Sequence, residues 1–361
     1  MTRLPTAIVT PSPAGGQYVS YQPFATEPVA PRQVRMWLPP GYDQGRQRYN
    51  VLYMHDGQNL FAPPDSIAYG PWDVDGCLVA LAHNGEVGAT IVVGIWNSGA
   101  NRAREYAPAA PLNTLPQDLR GEVTKSSADA ATTPLSDRYL HFMVYELKPF
   151  VDAHFRTRPD PSGTIVMGSS MGGLISLYAL AVFPDIFGAA GCPSTHWPIT
   201  TNPTLLDKPA DPRVEQIAAT YRIWLNQQLP TAGRHRLYFD HGSERLDSLF
   251  APYQEKIVAL VAAEGYRRDL DWRSEIFPGA AHNEAAWRKP LTYTAYVSPA
   301  GIARATRSTA EDGGHERTRG SALRRLPETP TLSRGSRCCK RTSRSVGSIE
   351  SVRILDSQRR H

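Results

Sequence analysis

The pentapeptide Gly168-Ser169-Ser170-Met171-Gly172 follows a short apolar run, Thr164 to Met167, and opens an apolar stretch, Leu174 to Phe183. A serine in that setting stands on a sharp turn between a strand and a helix. Glycines two positions either side suit such a turn, because its backbone packs against neighbouring elements with no room for a Cβ. The turn predicts an exposed Ser170 hydroxyl and a Met171 N–H aimed at whatever oxygen the serine attacks.

A turn of this kind needs a sheet to stand on, and the rest of the chain predicts one. Gln33 to Leu38, Asn50 to His55, Thr90 to Trp96, Thr164 to Met167, Phe187 to Cys192, Arg236 to Asp240 and Asp269 to Phe277 read as strands. The wholly apolar runs among them predict central parallel strands buried on both faces. Tyr139 to Phe155, Leu174 to Phe183 and Ser248 to Gly265 repeat apolar residues every three or four positions and read as helices covering that sheet. The expected class is α/β, with a mostly parallel central sheet and helices on both faces. Leu112 to Pro134 and Pro198 to Pro212 are polar and proline-interrupted, so they read as surface excursions.

Charge divides the chain in two. From Leu291 onward there are 14 basic and 6 acidic side chains, against 25 and 28 before it, so the net charge of +5 belongs to the tail. That tail has no aromatic residue after Tyr296, and the body has no basic surplus, which argues against nucleic-acid binding. No stretch approaches the roughly 18 to 20 apolar residues of a membrane span, and Met1 to Gly16 lack the apolar run of a secretory leader. The four cysteines, Cys77, Cys192, Cys338 and Cys339, show no zinc spacing. The expectation is a cytoplasmic protein with reduced thiols, no metal and no organic cofactor, acting on a small molecule.

A nucleophilic serine needs a base, an acid to orient that base, and donors for the oxyanion. On sheets carrying this turn the acid follows a late strand and the histidine follows the last ones. His282, in the small-residue loop Pro278 to Asn283, is the candidate base; His196 and His241, near strand ends, are secondary candidates. Beyond Asp240 the loop offers Glu244 and Asp247, the latter equally placed to cap a helix. For the oxyanion, Gln58 is the best candidate for a second backbone donor beside Met171, with Asn59 as its neighbour. Trp72, Trp96, Asn97 and Trp197 lie near strand ends, where Trp96, Asn97 and Trp197 are candidates for substrate contact; Arg102, Arg104 and Glu105 read as an ion pair beside the cleft.

Tyr53 to Phe61, the strand Val92 to Ile95 leading to Asn101 through Pro108, the elbow, Ser194 to Trp197, and His282-Asn283-Glu284 with Trp287 together resemble the Putative esterase family of the α/β-hydrolase fold. That family includes enterochelin-type, feruloyl and acetyl-xylan esterases, S-formylglutathione hydrolase and the antigen 85 acyltransferases. The resemblance runs from about Val34 to Trp287. It implies a serine esterase working through an acyl-enzyme, with Ser170 as nucleophile and His282 as base. Asp247-Ser248-Leu249-Phe250 is similar to the stretch bearing the acid in the feruloyl-esterase branch, while Glu244 fits the shorter spacing. Asp247 is favoured and Glu244 stays open. The alternatives are acyl transfer of the antigen 85 type and a catalytically impaired binding protein.

The resemblance also implies an apolar ending that packs on the sheet. Residues 291 to 361 are instead rich in Arg, Ser, Thr and Gly without apolar period, a composition that predicts disorder outside an esterase domain of residues 1 to 290. Codons for Leu291 to Ala300, read one base later, can spell an apolar ending, and a frameshift near Arg288 to Pro290 is the reading this suggests.

Overall fold

The apolar runs become the centre of a nine-stranded sheet in the computed structural model, which describes residues 6–24, 26–61, 70–124, 133–200, 202, 205, 208 and 211–288. The strands are β1 (Ala7–Pro11), β2 (Gln17–Phe24), β3 (Arg32–Leu38), β4 (Asn50–His55), β5 (Thr90–Ile95), β6 (Thr164–Met167), β7 (Ala189–Pro193), β8 (Arg236–Gly242) and β9 (Trp272–Phe277). Their spatial order is β1-β2-β3-β5-β4-β6-β7-β8-β9. β1, β2 and β3 form an antiparallel meander that joins β5, and β4 to β9 run parallel. Every residue of β4, β5 and β6 is buried, as strands covered on both faces require.

Alternation along the strands sorts the core into two layers. Tyr53, Val93 and Val166 pack on one face with Leu174, Ile175 and Tyr178, whereas Leu52, Met54, Val92 and Met167 pack on the other with Trp72 and Leu78. The helices are α1 (Val74–His83), α2 (Arg102–Tyr106), α3 (Ala109–Leu112), α4 (Gln117–Thr124), α5 (Ser136–His141), α6 (Lys148–His154), α7 (Met171–Val182), α8 (Pro212–Gln228), α9 (Leu246–Ala263) and α10 (Glu284–Arg288). The helix expected over Tyr139 to Phe155 is α5 and α6 joined by a π-helical stretch, Phe142–Leu147, ahead of Pro149, which has no N–H to give a helical ladder. No helix among the described residues is long and apolar enough to cross a membrane.

Three regions depart from expectation. β1 and β2 extend the sheet at an end where no strand is expected. Within Pro198 to Pro212, expected as a surface excursion, Ile199 and Leu205 are fully buried among the described residues. Within Leu112 to Pro134, α4 buries Leu119 and Val123 against the core. The expectations for residues 289–361, the tail and its frameshift included, lie outside the described residues.

Two buried charges shape the stability of this fold. Arg32, at the start of β3, makes a bidentate bond to Glu105 of α2, at 2.9 and 2.8 Å, with both side chains about 1–2 % exposed. Glu105 therefore pairs with Arg32, correcting the expected grouping with Arg102 and Arg104. Glu105→Ala would leave a buried guanidinium without its anion, and an equilibrium urea titration should show a loss of about 3–5 kcal/mol.

Asp240 in β8 is the second. Burial pushes its carboxyl up to about 7, against the Tyr238 hydroxyl and the Ser194 N–H that favour the anion, and nearby Asp247 and Glu275 add to the rise. An unfolded aspartate titrates near ~3.9. Below that value both states hold the proton and nothing is lost. As the pH climbs toward the folded value the unfolded chain alone releases it, so stability falls and then levels off. Asp240→Asn should remove that fall, giving a gain of a few kcal/mol in urea unfolding near pH 8 that vanishes near pH 4.

Candidate active site

The elbow forms where β6 meets α7. Ser170 holds φ 58° and ψ −124°, a conformation that a side-chain-bearing residue adopts only when its surroundings impose it. They do so here by backbone bonds: Ser170 N donates to Pro193 O at 3.2 Å, while His196 N and Gly173 N donate to Ser170 O at 3.1 and 3.0 Å. A Cβ on Gly168 would sit 3.0 Å from both the Gly172 Cα and the His55 side chain, so any side chain at the first glycine would press its neighbours apart. Gly172 has ordinary clearance, at 3.5 Å from His55. The Met171 N–H, first in α7, has no acceptor among the described residues, and the helix dipole adds to its pull on an anion.

Beside the elbow the chain leaves β4 through Asp56 and a single 3₁₀ turn, Gly57–Asn59. Gly57 packs so closely on β5 that a Cβ would lie 2.6 Å from the Trp96 ring and 2.7 Å from the Gly94 backbone. Asp56 sits in the left-handed region at φ 56°. Arg102 holds it there with two bonds of 2.7 and 2.8 Å, and Asn97 Nδ2 adds a third of 2.7 Å. Burial alone would raise the Asp56 carboxyl, but Arg102 and Asn97 outweigh it and keep it below the usual carboxylate range. Within this turn the Gln58 N–H has no acceptor among the described residues, whereas Asn59 N donates to Asp56 O at 2.9 Å. The Asn59 N–H is thus engaged in the turn itself, which removes Asn59 as a backbone donor.

The candidate acid and base meet on the other side. His282 Nδ1 donates to Asp247 Oδ1 at 2.5 Å, and Asp247 Oδ2 accepts from Ser194 Oγ and Gly242 N, both at 2.8 Å. Asp247 is 1 % exposed. Burial pushes its carboxyl up, yet His282, Gly242 and Ser194 together hold it below its ordinary value. The His282 ring packs edge-on against Phe250 and Trp287, with centroids 5.6 and 5.0 Å away. Trp287 Nε1 in turn donates to Ser194 Oγ at 2.8 Å. Asp247 is not a helix cap: α9 begins at Leu246, after Arg245 at φ 52°, and Asp247 lies in its first turn. Glu244 is exposed, and among the described residues the hydrogen-bonded carboxylate of His282 is Asp247, so the geometry separates the two candidate acids.

Ser170 and His282 belong to one rim. The chain of contacts runs from Ser170 O to His196 N, from the His196 ring to Phe250 at 5.0 Å, and from Phe250 to His282. Among the described residues no hydrogen bond joins the Ser170 hydroxyl to the imidazole; such contacts are commonly long until substrate is bound. His196 is structural, its Nε2–H donating to Thr200 O at 2.8 Å, and burial pushes it down to about 3. His241 Nδ1 likewise donates to the Gly242 carbonyl, at 2.7 Å.

Of the aromatic candidates, Trp197 is corrected. It is 2 % exposed, donates to Gln254 Oε1 at 2.7 Å and packs with Tyr221 and Phe239, so it is core. Trp72 is core as well, donating to Trp287 O. Trp96 is half-buried and Asn97 N donates to Gln58 Oε1 at 3.3 Å, which places both beside the turn that carries the Gln58 N–H. Ser194 and Glu284 are the residues that sequence reasoning left without a role. Ser194 bonds the acid, and Glu284, 6 % exposed, accepts from Asn59 Nδ2 at 2.9 Å. Both stood inside motifs quoted for the family resemblance, which was the signal available.

Comparison with known proteins agrees with this architecture. The model of the family described as Putative esterase matches residues 25–295. The uncharacterized protein YbbA of Bacillus subtilis (strain 168) is 24% identical over 169 residues, 46% of this chain and 58% of that protein, so the chain spans less than two thirds of that relative. An IroE-like serine hydrolase from Shewanella oneidensis shares the fold with a TM-score of 0.54 at 20% identity, over 83% of this chain and 89% of that one. A ferulic acid esterase does so with a TM-score of 0.52 at 15% identity, over 78% and 98% of the two chains. The chain belongs to the Putative esterase family and has the α/β-hydrolase fold.

Proposed function

We propose that the protein hydrolyses a small-molecule carboxylic ester through a Ser170–His282–Asp247 triad and an acyl-enzyme. The observation that carries this reading is the 2.5 Å bond from His282 Nδ1 to the buried Asp247. With its Nδ1 proton committed to the carboxylate, the imidazole keeps Nε2 as the acceptor for the serine proton. Ser170 Oγ attacks the ester carbonyl as His282 takes that proton. The carbonyl oxygen becomes an anion facing the Met171 and Gln58 N–H groups. Collapse expels the alcohol, which receives the proton from His282, and leaves Ser170 acylated. Water then enters, His282 deprotonates it, and the acid is released with Ser170 restored. Each oxyanion donor contributes about 3 kcal/mol in comparable sites.

Asp247 both orients the ring and stabilises the imidazolium that forms twice per turnover. The half-buried Trp96 and Asn97, beside the oxyanion turn, are placed to meet the substrate as it enters.

A fluorophosphonate should label the protein, and peptide mapping should find the adduct on Ser170; an adduct elsewhere, or none on folded protein, would reject the mechanism. Hydrolysis of p-nitrophenyl acetate should fall by on the order of 10⁴ or more in Ser170→Ala. The two candidate acids are separable by the same assay. Asp247→Asn should lower kcat by about 10²–10⁴ because the imidazole loses its fixed tautomer, whereas Glu244→Gln should stay within about twofold of the parent.

A further inference from the structure

Glu284 occupies an expensive position. Its carboxyl is almost wholly buried, is pushed up first by that burial and further by Asp56, and faces Arg102 and His282 as well. A neutral or apolar residue there would avoid the desolvation of a charge. What the carboxylate does with its position is specific: Oε1 accepts from Asn59 Nδ2 at 2.9 Å, a contact between residues 225 apart in the chain.

Asn59 closes the turn whose Gln58 N–H faces the substrate. Its N–H donates to Asp56 O and its carbonyl accepts from Trp72 N at 2.7 Å, so its side chain is the part left free to reach outward. Glu284 lies two residues past His282 and opens α10, whose start is capped by Asn283 Oδ1 accepting from Ala286 N at 3.0 Å. The far end of α10 is tied to the same region, since Trp72 Nε1 donates to Trp287 O at 2.9 Å. Trp287 Nε1 bonds Ser194, and Ser194 bonds Asp247.

We propose that Glu284 is a positioning residue that, through Asn59, fixes the oxyanion turn relative to the loop carrying His282. This rests on the triad reading given above. The oxyanion donor and the base stand on separate loops at separate strand ends, yet must act on one tetrahedral carbon within a few tenths of an ångström. The Glu284–Asn59 bond spans those two loops directly. Displacement of either by about 1 Å would cost on the order of 10²-fold in rate.

The test is a mutant cycle read by p-nitrophenyl acetate kinetics, with urea midpoints and fluorophosphonate labelling of Ser170 measured on every variant. Glu284→Ala and Asn59→Ala should each lower kcat by roughly 10- to 100-fold with KM within about threefold. The double variant should be no slower than the worse single one, as expected when both remove the same contact. Glu284→Gln, whose amide oxygen still accepts from Asn59, should recover most of the lost kcat and unfold at an equal or higher urea concentration. Additive losses, a Glu284→Ala kcat within about threefold of the parent, or a folded Glu284→Gln as slow as the alanine variant would each overturn the proposal. Should Glu284→Ala fail to fold, Asn59→Ala and Glu284→Gln decide the question alone. If the parent labels on Ser170 and these variants do not differ from it, the strap alone is wrong; if the parent does not label there, the triad falls and takes the strap with it.

Discussion

The rest of the site hangs on one buried anion. Asp247 lies below the surface, where a bare carboxylate would be driven to protonate, and it is kept ionised by three donors from three different segments: the His282 ring, the Gly242 N–H at the end of β8, and the Ser194 hydroxyl just past β7. Each donor satisfies a lone pair that burial has stripped of water. The arrangement also works in reverse. Because the anion needs all three, it holds β7, β8 and the histidine loop at fixed separations. A Cβ on Gly242 would lie 2.1 Å from the Ala280 carbonyl and 2.9 Å from Asp247, so the loop that bears His282 is drawn down onto the strand end itself.

The turn proposed to carry the oxyanion donor is built on the same principle, a buried carboxylate held ionised by its donors. Asp56 adopts a left-handed backbone that favours glycine, and the side chain that makes this residue awkward is also what stabilises it, through Arg102 and Asn97. A glycine would reach the same φ with less strain but would lack the bidentate tie that fixes the following turn. Gly57 then supplies the close approach to β5 that Asp56 could not. The pair Asp56-Gly57 thus divides two demands, anchorage and proximity, between adjacent positions. Under the elbow, burial pushes His55 down to about 3, so it is neutral, and its Nδ1 bonds the Tyr139 hydroxyl at 2.8 Å.

Much of this was legible in the sequence because it depends on local rules. Wholly apolar runs at β4, β5 and β6 announced buried parallel strands, and the small residues around Ser170 announced a tight turn, crowded at Gly168 though not at Gly172. What was not legible depends on contacts distant in sequence or on ambiguous composition. β1 exposes all five of its residues and ends in Pro11, so it carries no alternation to read. α8 did carry a signal: Asp211 caps it by accepting from Arg213 N, Pro212 occupies the first turn, and Val214, Ile217, Ala218, Tyr221 and Leu225 mark one buried face. Its proline-rich approach masked that pattern. Trp197 could not be told from a cleft aromatic, because an indole whose N–H finds Gln254 buries as readily as one stacked on a ligand. The choice between Glu244 and Asp247 turned on Arg245, whose positive φ redirects the chain so that the residue farther along, not the nearer one, points back at His282.

The two halves of the site differ in what they leave to the substrate. On the proposed mechanism the acid and base, Asp247 and His282, are already joined, with the His282 ring edge-on to Phe250 and Trp287, and the turn bearing Gln58 is anchored by the Asp56–Arg102 pair, so neither needs to be ordered during binding. The Ser170 side chain is half-buried, and no side-chain bond fixes its hydroxyl among the described residues. Its backbone is strained and fixed, which leaves a single soft torsion, the rotation that swings Oγ. Ordering one torsion costs far less than ordering a loop. On the mechanism proposed above, a substrate whose carbonyl oxygen settles between the Met171 and Gln58 N–H groups would leave the rotation of Oγ as the one movement still needed to bring the hydroxyl onto the carbonyl carbon.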